Sequence, residues 1–510
     1  MSVPVPPSVD GEAVVVWHRR GLRVPDQPAV AAAADEFETV CPLFVFDPQF
    51  YGGDGLACDA RLRFLHECLT DLAAGYRDRG TELVFAHGDP LDVLAAFADA
   101  GWALRATADP VARYGAARDD RAAALGVEFV ADDGLRRDPD SREGWSDHAE
   151  AYLTDEPRAP GDLGTHGVDS TTTVAAVEER YDVSPAKTRV PTGGREAAFA
   201  RLRAFADGIA AYPGSIADPA DAEEGTSRLS PYLRFGCLSV REAYRVVDER
   251  ATDDRGREAF VTRLYWNRHY TQKLADWSGW TDRAVNPVFR GFGRSTHDPD
   301  LVEAWKRGQT GFPMVDAAMR CLRETGWLNF RARALCASFF GYILRQPWRV
   351  GADHFYHHLI DADPAINYTQ WQQQTGMTGV NTTRIYNPRK QVREHDPEGA
   401  FVGEWVPELR PVPPDYLDRP ERMPLSLQAE VGVSVGDDPD DDYPYPVVDY
   451  KARREAAAEE FAALDDRARE AAQDPEIRRR LSLSRRGQGD DGPTRDARAT
   501  TDGQTDLSEF

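Results

Sequence analysis

The chain has 510 residues, 41% of them hydrophobic, and a formal net charge of −24, which suits two or three folded domains better than one. No run of about 18 apolar residues occurs, which excludes a membrane-spanning helix. The six cysteines (Cys41, Cys58, Cys68, Cys237, Cys321, Cys336) are scattered without a C-x-x-C pair, which excludes a zinc or iron–sulfur framework.

The start, "MSVPVPPSVDGEA", has neither a basic n-region nor an apolar run, so a cytoplasmic protein in a reducing compartment is expected. Arginine in place of lysine and the acidic surplus suggest a salt-adapted source. Such a surface speaks to solubility and does not exclude nucleic acid as a partner.

From residue 12 to 132, "AVVVW", "PLFVF", "ELVFA" and "VEFV" read as strands. "LRFLHECLTDLAAGYRDRG" and "DPLDVLAAFADAG" between them read as helices. That alternation predicts an α/β doubly wound domain with a parallel sheet, whose ligands bind beyond the carboxyl ends of the strands. No G-x-G-x-x-G follows the first strand, so a dinucleotide fingerprint is absent. Gly88 and Asp89 after "ELVFA" read either as a pigment contact or as an ordinary strand-to-helix turn.

Residues 133–192, rich in Asp, Pro, Gly and Thr, read as a long connector. Helical periodicity then dominates from 193 to 425, a further segment ends in a helix near 449–472, and 473–510 reads as a disordered polar tail.

Within the helical region, "EEGTSRLSPYLRFGCLS" places a turn at Gly225, the hydroxyls of Thr226, Ser227 and Ser230, and the cation of Arg228 close to a helix start. The string suits a diphosphate and equally suits a simple cap. "DADPAINYTQWQQQTG" predicts a helix capped by Asp363 with Pro364 at its first position, and puts Asn367 and Trp371 on roughly the same face. A carboxylate, an amide and an indole in a row suit a flat aromatic ligand with polar edges. Eight of the eleven tryptophans lie in this half of the chain. Residues 226–349 carry 19 Arg and 2 Lys against 13 acids, a balance of 21 − 13 = +8, which suits an anionic partner or internal pairing, with Arg241, Glu242 and Arg245 on an exposed helix as the example of pairing. His354, His357 and His358 read as surface imidazoles, and no metal is expected.

Taken together, "VVVWHRRGLRVPDQPAV", "PLFVFDP", "GTSRLSPYLRFGCLS", "TGFPMVDAAMRCLRETGWL", "HLIDADPAIN", "RIYNP" and "YPYPVVDYKARREAA" resemble the DNA photolyase and cryptochrome family, in the same order and over roughly residues 12 to 465. The resemblance implies an all-α C-terminal FAD-binding domain joined by the connector to the α/β domain, which in this family is the place of a second antenna chromophore of folate or deazaflavin type. It implies FAD contacts at Tyr212, Thr226, Ser227, Arg228, Leu229, Ser230, Arg333, Asp361 and Asp363, with Arg333 paired to Asp361 and Asn367 facing flavin N5. Trp371 and Trp348 match the first two members of the family's electron-transfer chain.

Three positions depart from the family pattern. Ser295 stands where the outer tryptophan belongs, leaving Phe292 or Trp280 as candidate chain ends. Trp266 matches the tryptophan that packs on a flipped lesion, but Arg263 replaces the glutamate of cyclobutane-dimer photolyases, and Phe330 replaces their asparagine, with Asn329 beside it. The resemblance therefore implies a light-driven flavoprotein, expected to be a monomer, that repairs pyrimidine dimers in damaged DNA with no membrane involvement. A photoreceptor passing the change to a signalling partner is the alternative.

Overall fold

The structure, a computed structural model, describes residues 3–52, 55–137, 144–380, 384–436, 438 and 442–481. Strands β1 (Ala13–His18), β2 (Thr39–Phe46), β3 (Val84–His87), β4 (Ala103–Thr107) and β5 (Val127–Val130) form one parallel sheet in the order β3-β2-β1-β4-β5. Trp17 of β1 is in register with Leu43 of β2 and Ala106 of β4. Every residue of β1 is buried, as a parallel strand covered on both faces requires.

The period of two along β1 sorts its side chains into two cores. Val14 and Val16 join a core that runs through Phe64 of the helix Asp59–Arg77 to Tyr212, Leu264 and Ile360 of the helical region. Val15 and Trp17 face the opposite side, with Leu94 and Phe97 of the helix Pro90–Asp99. One face of the sheet is therefore the floor on which the second domain sits.

β4 is the strand that periodicity did not predict. Its central Arg105 is only 3% exposed, because Nη2 donates to Glu36 at 2.7 Å and to Glu128 at 2.5 Å. A buried, twice-paired guanidinium looks polar in sequence and behaves as core. Asp89 caps the helix Pro90–Asp99 by accepting from Leu91 N at 2.9 Å, so the strand-to-helix turn is the arrangement found there. At the carboxyl edge of β1 and β4, Arg19 pairs with Asp119 and donates to the Thr107 carbonyl, with Trp17 and Phe129 against its guanidinium.

The connector carries two helices, Trp145–Thr154 and Val174–Tyr181. It is stapled to the long helix Asp254–Asp276 by Trp145, whose Nε1 donates to Gln272 Oε1 at 3.0 Å. The remainder is helical except for the short pair Val435–Gly436 and Tyr443–Pro444. The expected tail starts later than residue 473: Pro475–Leu481 is a helix whose Leu481 is buried with Leu274, Trp280 and Val285. Residues 482–510 of that segment lie outside the described residues.

Part of the basic segment is paired within the protein. Arg241 is not on an exposed face but 1% exposed, donating through Nε to Asp26 at 2.8 Å and through Nη2 to Asp132 at 2.8 Å. Its helix begins at a capping box of Ser239 and Glu242, and Glu242 accepts from Arg195 at 2.6 Å. These contacts tie the α/β domain to the helical half and bury the charge of Arg241 between two carboxylates.

Candidate active site

The helix Pro364–Gln374 forms because Asp363 accepts from the N–H groups of Ala365 and Ile366 at 2.8 and 3.3 Å and Pro364 fills the first turn. It presents Asn367, Gln370 and Trp371 to a cavity of about 370 Å³. The facing wall is the helix Asp254–Asp276, through Arg263, Trp266, Asn267 and Tyr270. Tyr212, the segment Thr226–Ser230, the turn Trp327–Phe330, Arg333, Asp361 and Asp363 close the rest. Trp348 is the one sequence-predicted site residue that does not line the cavity.

Arg333 donates through Nη2 to both Asp361 oxygens, at 3.2 and 2.9 Å, and through Nε to the Leu328 carbonyl at 2.9 Å. Asp363 meets a cation from the other domain: Arg20, in the loop after β1, donates to its Oδ2 at 3.0 Å and to the Arg234 carbonyl at 3.2 Å. Burial alone would raise the Asp363 pKa, but Arg20 and Arg234 outweigh it and hold the carboxyl below its usual range. Asn367 donates Nδ2 to the Ala352 carbonyl at 3.0 Å, which leaves its acceptor oxygen as the free end of the amide.

At Thr226–Ser230 the turn is tight. A Cβ on Gly225 would fall 2.3 Å from Ser215 Cβ, so only glycine allows the approach, and Arg228 sits at a left-handed φ of +46°. The Arg228 guanidinium is turned to Glu223 at 2.8 Å and lies over the Trp327 ring. Arg234, in contrast, spends Nε on the Ala362 carbonyl at 2.7 Å and has no salt bridge among the described residues. Asn329 caps the helix Phe330–Ser338 through Oδ1, while its Nδ2 is buried without a partner.

Toward the mouth, Trp266 stacks on Tyr270 at 5.6 Å and 24°. Arg263 lies over the Phe330 ring at 5.3 Å and beside Tyr212, whose phenol burial raises while Arg263 opposes the shift. Trp371 is packed edge-on by Phe355 at 5.1 Å and Trp305 at 6.0 Å. The helix Trp348–His358 comes so close that a Cβ on Gly351 would fall 2.3 Å from Trp371 Cη2. His354 and His358 on that helix are not surface imidazoles. Burial lowers their pKa values to about 2 and about 3, and the His354 ring packs on Trp305. No cluster able to hold a metal ion occurs among the described residues.

Arg20, Arg234, Tyr270 and Gln370 were not singled out in the sequence. Arg20 and Arg234 lie inside the quoted motifs "WHRRGLRVP" and "SRLSPYLRFG", which was the available signal. Tyr270 follows Trp266 by one helical turn.

Residues 14–133 match the DNA photolyase domain and residues 260–463 the FAD binding domain of DNA photolyase. The chain is 32% identical to deoxyribodipyrimidine photo-lyase of Halobacterium salinarum, covering 87% of this chain and 98% of that one. It is 31% identical to cryptochrome DASH of Natronomonas pharaonis, over 87% and 99%. Among solved structures it resembles the archaeal photolyase of Sulfolobus tokodaii with two FAD molecules, with a TM-score of 0.72 and 25% identity over 88% of this chain and 100% of that one. The chain belongs to the DNA photolyase and cryptochrome family, and its helical region is an FAD-binding domain.

The cavity fits such a group by its own chemistry. It offers a flat wall at Asn367 and Trp371, the cations Arg234 and Arg333, hydroxyls at Thr226, Ser227 and Ser230, and an orphaned buried donor at Asn329 Nδ2. A buried donor without a partner costs about 1–3 kcal/mol, which a bound acceptor removes.

Proposed function

We propose that the protein is a FAD-dependent, light-driven photolyase that splits pyrimidine dimers in DNA, acting as a cytoplasmic monomer. What carries this reading is a single cavity, built by one chain, whose inner end is an acid, amide and indole wall and whose mouth is a stacked pair of aromatic rings beside an arginine. FAD, bound there in its reduced form, supplies under blue light the single electron that opens the dimer and then recovers it.

In this reading Thr226, Ser227, Arg228, Leu229, Ser230 and Tyr212 hold the phosphate end. Arg228 contributes backbone rather than charge, because Glu223 already neutralises its side chain. Arg333 and Arg20 offset Asp361 and Asp363, so that two carboxylates do not oppose negative charge on the flavin edge. The Ala352 carbonyl accepts from Asn367 Nδ2 and leaves the amide oxygen free, so that it would accept from a protonated ring nitrogen of a bound flavin. Trp371 and Trp348 carry electrons inward when the flavin needs reduction. Trp266 and Tyr270 receive the extruded bases by stacking, and Arg263 contacts the anionic lesion in place of a hydrogen-bonding acid. Room for a second, light-harvesting chromophore in the α/β domain is part of this reading, and the archaeal structure described with two FAD molecules and a novel light-harvesting cofactor supports it.

Reduced protein incubated with thymine-dimer DNA should restore thymines under blue light and not in the dark. A photoreceptor without repair is the second reading, favoured by the Arg263–Phe330 stack in the lesion pocket. Flavin photoreduction without any restored thymine would select it.

A further inference from the structure

The electron chain lacks its expected outer end. Ser295 occupies the place of the third tryptophan, and among the described residues neither candidate replacement packs its ring on that of Trp348. Phe292 packs on Phe289 and Phe461, and Trp280 on Trp277. The ring that Trp348 does meet is Tyr368, edge-on at 6.4 Å and 82°. Tyr368 stands one turn before Trp371 on the cavity helix, is 9% exposed, and does not line the cavity.

Tyr368 has what a radical terminus needs, a proton acceptor. Its hydroxyl donates to Asp353 Oδ1 at 2.7 Å, within the range for direct proton transfer. Asp353 lies on the surface, held by Arg349 at 3.5 Å. The adjacent Tyr356, 5.7 Å from Tyr368, lies under the Arg61 guanidinium at 4.9 Å. A cation over that ring disfavours a second positive charge on it, so the hole has reason to stop at Tyr368. Burial and the neighbouring carboxylate both raise the phenol pKa, so Tyr368 rests protonated until it is oxidised.

We propose that Tyr368 is the terminal electron donor of the photoreduction chain, with Asp353 as its proton acceptor. One electron passes from the Tyr368 phenol to the Trp348 radical cation, which the light-excited oxidised flavin generates through Trp371. The phenolic O–H bond breaks, its proton forms an O–H bond on Asp353 Oδ1, Trp348 is restored, and Tyr368 remains as a neutral phenoxyl radical. Asp353 then releases the proton to solvent. The inference rests on the flavin reading of the cavity.

The test is flash photolysis of the oxidised holoprotein, followed by transient absorption and electron paramagnetic resonance of the protein radicals. In the wild type, a tryptophan radical should convert to a tyrosyl radical. Tyr368→Phe, which keeps the ring, should abolish the tyrosyl signal and leave the tryptophan radical to recombine. Asp353→Asn, at an exposed position, should slow the conversion by about a hundredfold and remove its sensitivity to deuterated solvent. A tyrosyl signal that persists in Tyr368→Phe, or a wild-type chain that halts at tryptophan, overturns the proposal while the flavin reading stands. Photoreduction that survives both Trp371→Phe and Trp348→Phe overturns the proposal alone, whereas protein that binds no flavin overturns the reading and the proposal together.

Discussion

Arg20 and Asp363, 343 positions apart in the chain, meet at 3.0 Å across the domain junction. The same carboxylate that starts the cavity helix with one oxygen is neutralised with the other by the loop after the first strand. Domain docking and the charge of the cavity wall are thus one interaction.

Removing Arg20 strands a buried carboxylate. Arg20→Ala should cost about 3 kcal/mol of stability and reduce flavin retention through gel filtration, read as the ratio of flavin to protein absorbance. Arg20→Lys keeps the charge but not the planar fork that also reaches the Arg234 carbonyl, and should fall between the two.

In the proposed reading Arg263 bears on the lesion rather than on the flavin's redox chemistry. Arg263→Gln should lower the rate of dimer repair by about ten- to a hundredfold, the worth of about 1–3 kcal/mol in a charged contact. Flavin photoreduction in the same variant should be unchanged. Equal repair by both proteins would remove Arg263 from the lesion pocket.

Gly351 is a spacing residue. The methyl of Gly351→Ala would fall 2.3 Å from Trp371 Cη2 and 3.1 Å from Phe340 Cδ1, so the two helices must part. The expected cost is about 1–3 kcal/mol, together with slower photoreduction because Trp371 is displaced. Thermal melts and flash kinetics measure the two effects separately.

His18, held at a pKa of about 4 by burial, and His354, held at about 2, are neutral in the native protein, while the unfolded chain binds protons below about 6.5. Their contribution to stability is therefore complete above that value and is lost as pH falls toward the folded values. Each imidazole gives a slope of about 1.4 kcal/mol per pH unit. Urea melts at pH of about 7.5 and 5.5 should differ by about 2–3 kcal/mol from these two groups, and His354→Gln should remove about half of that.

The strands that were apolar runs were legible, because a strand buried on both faces must be continuous in hydrophobics. β4 was not, since its Arg105 is buried by partners at Glu36 and Glu128 that no local pattern reveals. The cavity helix was legible from its Asp-Pro start and from the spacing of Asn367 and Trp371. Arg20 and Arg234 became visible only in three dimensions, because what makes them matter is a carboxylate far away in the chain. Arg228 shows the opposite failure. Its sequence neighbours suggested a free cation, and Glu223, five residues before it, takes that charge away. The histidines of the helix Trp348–His358 looked like a wet surface because nothing local announces the Trp305 ring that covers His354.

Arg241, with 1% of its side chain exposed, and Asp26, with none, form a clamp that dissolved ions do not reach. In brine of about 1 M, charges at the surface are screened beyond about 3 Å, and long-range attraction to a DNA duplex fades with them. The clamp keeps its strength there, so rising salinity should slow the search for damage while leaving the light chemistry inside the molecule at the same pace.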